Sequence, residues 1–177
     1  MKVMDQVEEV IKAPLSSEEL AVRYRDLCDD PCFANLPGKI ELDTWGRVLM
    51  TPPSTYHGLV QGRLCHRLGT LGGEVFGEVA VVTAEGIFVT DAAWASAEFV
   101  KRHRGETPLM HAPDICVEVA SPSNSDKELQ EKTAAYFGAG AKEVWILYLK
   151  SKRCEFHGPQ GLMERSSFAV DLSELFK

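Results

Sequence analysis

The sequence predicts an α+β (mixed α/β) fold, and three observations carry that prediction. The middle of the chain reads helix, strand, strand, strand, helix, strand, judged by where apolar residues recur at helical spacing and where they form short runs. An apolar run at 115–119 leads into a helix whose start is marked by Ser125-Asp126-Lys127-Glu128, and a second apolar run follows at 143–149. A helix between two such strands is the crossover that parallel pairing needs, while the strands before it are joined closely enough for an antiparallel meander. The sheet is therefore mixed, preceded by an N-terminal helix and a β-hairpin. At 177 residues the chain is read as one domain, 1–177, large enough to bury a core without staples.

In chain order, Ser16-Ser17-Glu18-Glu19 is a helix start, Leu20, Tyr24 and Leu27 share one side, and Asp29-Asp30-Pro31 ends the element. Lys39-Ile40-Glu41-Leu42-Asp43 and Gly46-Arg47-Val48-Leu49-Met50 read as the strands of a hairpin, stopped by Pro52-Pro53. From Tyr56 the spacing turns helical. His57, Val60, Leu64, Leu68 and Leu71 form one stripe with Gln61 near its centre, closed by Gly72-Gly73. Residues 78–83 read as a strand, Glu85-Gly86 as a turn and 87–94 as a second strand. Residues 95–112 make a long connection with Lys101, Arg102, His103 and Arg104 in a row, read as a solvated turn of helix in preference to a phosphate contact. After the crossover helix, 143–149 and 154–157 pair as a hairpin, and 170–176 is a short terminal helix or docking tail.

A net charge of −7 argues against holding nucleic acid by bulk electrostatics, because phosphate binding rests on a basic footprint. The exclusion is partial, since an acidic site that recruits divalent cations carries its own positive charge when loaded. Cys28, Cys32, Cys65, Cys116 and Cys154 are scattered and never spaced as CxxC, so they are read as small apolar residues rather than a disulfide framework or a thiolate zinc site. No apolar run is long enough to span a bilayer, and residues 1–12 lack the apolar core of a signal peptide, so a cytoplasmic location and no membrane partner are expected. There is no phosphate-cradling glycine loop, no GxSxG, no HExxH and no constellation around a serine or cysteine nucleophile.

Glu118 breaks the pattern of a strand otherwise fit for full burial. An unpartnered buried carboxylate costs several kcal/mol, so it asks for a cation, a donor or a proton. Alternation puts Asp114, Cys116, Glu118 and Ala120 on one face, and Asp91 repeats the anomaly on the preceding strand beside Ile87, Val89 and Ala93. Adjacent strands lie about 5 Å apart, so Asp91 and Glu118 can share one hard divalent ion, Mg²⁺ or Mn²⁺, with a carbonyl such as that of Val119. Such an ion activates water and neutralises charge on a phosphate, chemistry suited to phosphodiester hydrolysis. Lys132 lies at the edge of the stripe made by Leu129, Thr133, Tyr136 and Phe137, able to reach Glu118 and orient the attacking water; the plainer reading is a snorkelling surface lysine. Asp114 is a turn residue or a supporting group, Asp126 a first-turn helix acid that can also support the site, and His57 and Gln61 are satisfied core residues or supports.

From Pro113 the chain runs PDICVEVASPSNSDKELQEKTAAYFGAGAKEVWILYLKSKRCEFH. This closely resembles the core of the Uma-two family of bacterial restriction endonuclease-like proteins, assigned to the PD-(D/E)XK nuclease superfamily. The matching positions are Pro113-Asp114, Glu118-Val119, Ser121-Pro122-Ser123, Asp126, Lys132, Tyr136, Ala139-Gly140 and Glu143-Val144-Trp145. Ile40-Glu41-Leu42 with Gly46, the Pro52-Pro53-Ser54 and His57 segment, and the closing Asp171-Leu172-Ser173-Glu174-Leu175-Phe176 also have counterparts, so the likeness covers most of the chain from about Ser16 onward. The resemblance implies a restriction endonuclease-like core over about 56–150, a divalent-metal site, and catalytic roles for Asp91, Glu118 and Lys132. Two departures stand beside it: Ala120 occupies the place where the superfamily lysine usually stands, which moves that role to Lys132 on the helix, and Val89-Thr90 precede Asp91 where the family commonly has proline.

The expected function is divalent-metal-dependent hydrolysis of phosphodiester bonds in DNA. The alternative is a non-catalytic nucleic-acid- or protein-binding module of the same fold, favoured by the acidic charge and the missing in-strand lysine, with a metal phosphohydrolase of small substrates as a third reading. A homodimer is expected, because paired sites cut both strands of a duplex and twofold symmetry is common.

Overall fold

Ser16 caps the first helix as its sequence requires: its hydroxyl accepts from the Glu19 amide, and the Glu19 carboxylate reaches back to Ser16 N at 2.8 Å. The computed structural model describes residues 13–33, 38–51, 54–121 and 124–177. The signal-peptide reading of residues 1–12, the Pro52-Pro53 stop and the Pro122-Ser123 break lie outside the described residues. In chain order the elements are α1 (Ser17–Asp29), β1 (Lys39–Asp43), β2 (Val48–Thr51), α2 (Thr55–Leu68), β3 (Glu74–Phe76), β4 (Val79–Thr83), β5 (Gly86–Thr90), β6 (Ala92–Ala95), α3 (Ala97–His103), β7 (Ile115–Ala120), α4 (Asp126–Gly138), β8 (Glu143–Tyr148), β9 (Arg153–Gly158) and β10 (Gly161–Met163). No helix among the described residues is long and apolar enough to cross a membrane.

The strands form two sheets. One is antiparallel throughout, in the order β2-β1-β5-β4; the other runs β10-β9-β8-β7-β6-β3 and is antiparallel except for the parallel pair β7 and β8, which α4 connects. Helix α1 lays Leu20, Ala21 and Leu27 against Leu42, Val82, Ile87 and Val89 of the smaller sheet. Helix α2 packs Val60, Leu64 and Leu68 on Ile115, Val117, Val119, Trp145 and Leu147 of the larger one, and Leu175 of the C-terminal tail joins them. Each fully buried side chain of that size contributes about 1.5–3 kcal/mol. On the opposite face of β7, Cys116 meets Tyr136 of α4 and Val81 of β4, so α4 lies where the two sheets approach each other.

The predicted strand at 87–94 is two strands. The chain leaves the smaller sheet at Thr90 and enters the larger one at Ala92, with Asp91 at the crossing. The predicted meander is thus split: β4 pairs with β5 in one sheet, and β6 with β7 in the other. Nothing in the run IFVTDAAW marks the break, because the backbone of Asp91 is satisfied from outside its strand. Asp91 N donates to Val117 O at 3.0 Å, and Gln61 Nε2 donates to Asp91 O at 2.6 Å.

Other expectations also change. The basic row closes α3, where Lys101, Arg102 and Arg104 are exposed and Arg102 pairs with Glu98, in keeping with the solvated reading. Ser125 caps α4, but the Glu128 carboxylate accepts from Asn124 Nδ2 at 3.0 Å instead of completing the box. Among the cysteines Cys116 is buried, while Cys28 and Cys32 are exposed, contrary to the reading of all five as apolar filling.

Candidate active site

The register of β1 builds one wall. Ile40 and Leu42 face α1 with Val89 and Ile87, so alternation sends Lys39 and Glu41 to the other side, toward α4. Gly86 lets β1 approach β5, since with φ +127° any side chain at that position would run into the Leu42 carbonyl. Glu41 Oε1 accepts from Val89 N at 2.9 Å and from Lys132 Nζ at 2.8 Å.

Asp91, at the crossing between sheets, is 3 % exposed. Its Oδ2 accepts from Val119 N at 2.7 Å, and its Oδ1 lies 3.0 Å from Lys39 Nζ and 3.2 Å from His57 Nε2. Glu118, 5 % exposed, stands opposite on β7. Tyr136 Oη donates to its Oε1 at 2.6 Å, while Oε2 lies 3.4 Å from Lys132 Nζ and 3.6 Å from Lys39 Nζ. Lys132 is itself buried, its ammonium 5.3 Å from the Phe88 ring centre, which rules out the snorkelling reading.

These surroundings set the protonation of the acids. Burial pushes the Asp91 carboxyl up, but the hydrogen bond from His57, the Lys39 and His57 charges and the Val119 amide outweigh it and bring it down to about 2. Burial raises the Glu118 carboxyl; the Lys132 and Lys39 charges oppose the rise, and Asp91 and Glu41 add to it. Burial works against the Lys132 ammonium, yet Glu118 and Glu41 more than offset that loss and the repulsion from Lys39, so its pKa is raised.

Among the described residues no three acids, histidines or cysteines gather closely enough to hold an ion alone. Asp91 Oδ1 and Glu118 Oε2 nevertheless converge on a single cationic point, the Lys39 ammonium. Two carboxylates are the protein share that Mg²⁺ or Mn²⁺ takes, with water and substrate oxygens completing the octahedron, so the donors fit such an ion.

A family model described as "Putative restriction endonuclease", Uma2, matches residues 22–175. The chain belongs to the Uma2 family. No curated protein sequence matches it. Among solved structures it is similar to a protein from Anabaena variabilis ATCC 29413 described as "a putative nuclease belonging to DUF820", with 17% identity and a TM-score of 0.66 over 92% of this chain and 98% of that one. At that identity the likeness speaks to architecture, and the fold of this Uma2 chain is restriction endonuclease-like.

Within this Uma2 chain, Asp91, Glu118, Lys132, His57 and Gln61 come together; Asp114 and Asp126 do not join them. Asp114 Oδ2 accepts from Ser96 N at 2.7 Å and its Oδ1 pairs with Lys142 at 2.7 Å, so it ties the start of α3 to the start of β8. Asp126 is an exposed first-turn residue of α4. Sequence reasoning missed Lys39, Glu41 and the Tyr136 hydroxyl. The available signal was the Lys39, Glu41, Asp43 alternation against Ile40 and Leu42, which has the pattern of a solvated strand face.

Proposed function

We propose that this Uma2 protein is a divalent-metal-dependent nuclease that hydrolyses phosphodiester bonds in DNA. The observation that carries the reading is the convergence of two buried carboxylates, Asp91 and Glu118, on one cationic point beside a buried lysine, Lys132. Asp91 Oδ1 and Glu118 Oε2 would hold the ion. When bound, Mg²⁺ or Mn²⁺ supplies a nucleophile at neutral pH and neutralises charge on the phosphate. His57 and the Val119 amide fix the Asp91 carboxylate, Gln61 fixes its backbone, and Tyr136 fixes Glu118 through the oxygen turned away from the lysines. Lys132, oriented by Glu41, is placed to orient water or to stabilise the charge that develops on the phosphoryl oxygens.

Purified protein with Mg²⁺ or Mn²⁺ is expected to nick supercoiled plasmid, and Glu118→Gln to abolish nicking. Equal nicking by both proteins overturns the reading.

One observation favours the non-catalytic alternative. The cleft that reaches Glu41 and Lys132, about 600 Å³, is also lined by the acids Asp43, Glu85, Glu128 and Glu131, which repel a phosphate backbone. Calorimetry with Mn²⁺ separates the two readings, since a non-catalytic module needs no ion at Asp91 and Glu118.

A further inference from the structure

We infer that the Lys39 ammonium is the resident cation of the cluster, and that Asp91 and Glu118 hold a divalent ion only after Lys39 withdraws; the inference rests on the metal site proposed above. Lys39 Nζ donates to Val89 O at 2.7 Å and Asp91 Oδ1 at 3.0 Å, and it lies 3.6 Å from Glu118 Oε2 and 3.9 Å from Glu41 Oε1. Carboxylate and carbonyl oxygens from β1, β5, β7 and the crossing residue thus surround one nitrogen. This is the oxygen environment a hard cation takes, already filled by a side chain.

The two cations exclude each other. An ion about 2.1 Å from Asp91 Oδ1 would stand no more than about 5 Å from an ammonium that is itself 3.0 Å from that oxygen, and the site is too buried for water to screen the repulsion. Charge favours exchange over addition. Three carboxylates, Glu41, Asp91 and Glu118, already face the ammonium groups of Lys39 and Lys132 and the His57 ring, 3.2 Å from Asp91 Oδ1. Exchanging the Lys39 ammonium for a dication raises the charge of the cluster by one, whereas adding the dication beside both ammonium groups raises it by two.

Only one of the two lysines is placed to leave. Lys39 is the first residue of β1 with its side chain 13% exposed, and its flexible stem can carry the charge outward to water. Lys132 sits inside α4 between Glu41, Glu118 and Phe88. Ion binding then competes with an internal partner, so the apparent affinity of the native chain is lower than its carboxylates alone would give.

Titration of Mn²⁺ into wild type and Lys39→Met by calorimetry tests the exchange. The variant is expected to bind at least tenfold more tightly, and to melt lower than wild type without Mn²⁺ but recover with it. Equal or weaker binding by Lys39→Met, with wild type binding, overturns the exchange and leaves the metal site standing. Binding by neither protein overturns the metal site and the exchange with it. If Lys39→Met does not fold, acetylation of wild-type lysines read by mass spectrometry decides. Lys39 is expected to label faster with Mn²⁺ than without while Lys132 stays protected, and unchanged Lys39 labelling at Mn²⁺ concentrations that bind overturns the exchange.

Discussion

The Lys132 ammonium is held more closely by Glu41, at 2.8 Å, than by Glu118, at 3.4 Å. A residue from the N-terminal hairpin therefore sets the position of the lysine beside the acid of the central strand. In Glu41→Gln the Val89 amide keeps an acceptor, but Lys132 loses its nearer charge and is drawn toward Glu118. Misplacement of a reacting group by about 1 Å costs roughly a hundredfold in rate. Plasmid nicking by Glu41→Gln at saturating Mn²⁺ is expected to fall by about that factor; a rate equal to wild type would show that Glu41 does not position Lys132.

Tyr136→Phe removes the 2.6 Å hydrogen bond to Glu118 Oε1 and leaves that oxygen of a buried carboxylate without its donor. The expected loss is about 1–3 kcal/mol. It should appear in urea denaturation as a lower midpoint with an unchanged slope. An unchanged midpoint contradicts the assignment of Tyr136 as the fixed partner of Glu118.

Acid should loosen the C-terminal tail. Glu143 accepts from Trp145 Nε1 at 2.7 Å, Ser166 Oγ at 2.6 Å and Ser167 N at 2.8 Å, and these bonds overcome the effect of burial to hold its carboxyl below the usual range. Asp114 is lowered in the same direction, burial again being outweighed, here by Lys142 and Ser96. For carboxylates depressed on folding, the stabilisation is present above the unfolded-state value and is lost as pH falls through the folded one. Stability measured by urea midpoint is expected to fall as pH drops below about 4, and Glu143→Gln should flatten that fall. Stability rising over the same interval would contradict the assignment.

The acids were legible because each violated a local rule: Glu118 in a run fit for burial, and Asp91 in another. The crossover helix was legible from its Ser125 cap and its place between two apolar runs. The break at Asp91 was not, since the partners that satisfy its backbone there are Gln61 of α2 and the Val117 carbonyl of β7, both distant in sequence. Lys39 and Glu41 were hidden for a related reason. Their alternation with Ile40 and Leu42 has the form of a solvated hairpin, and only the pairing of Leu42 with Ile87 turns the charged face inward. Asp114 shares a strand face with Glu118, and Asp126 matches a family position, but neither pattern reports distance: Ser96 and Lys142 engage the first, and solvent the second.

Anomalous diffraction from crystals soaked in Mn²⁺, at a concentration that supports nicking, decides whether Asp91 and Glu118 form a divalent-ion site. An anomalous peak is expected within about 2.2 Å of both Asp91 Oδ1 and Glu118 Oε2, with the Lys39 ammonium moved out of contact with Asp91. Absence of a peak there, with Lys39 still paired to Asp91, would contradict it.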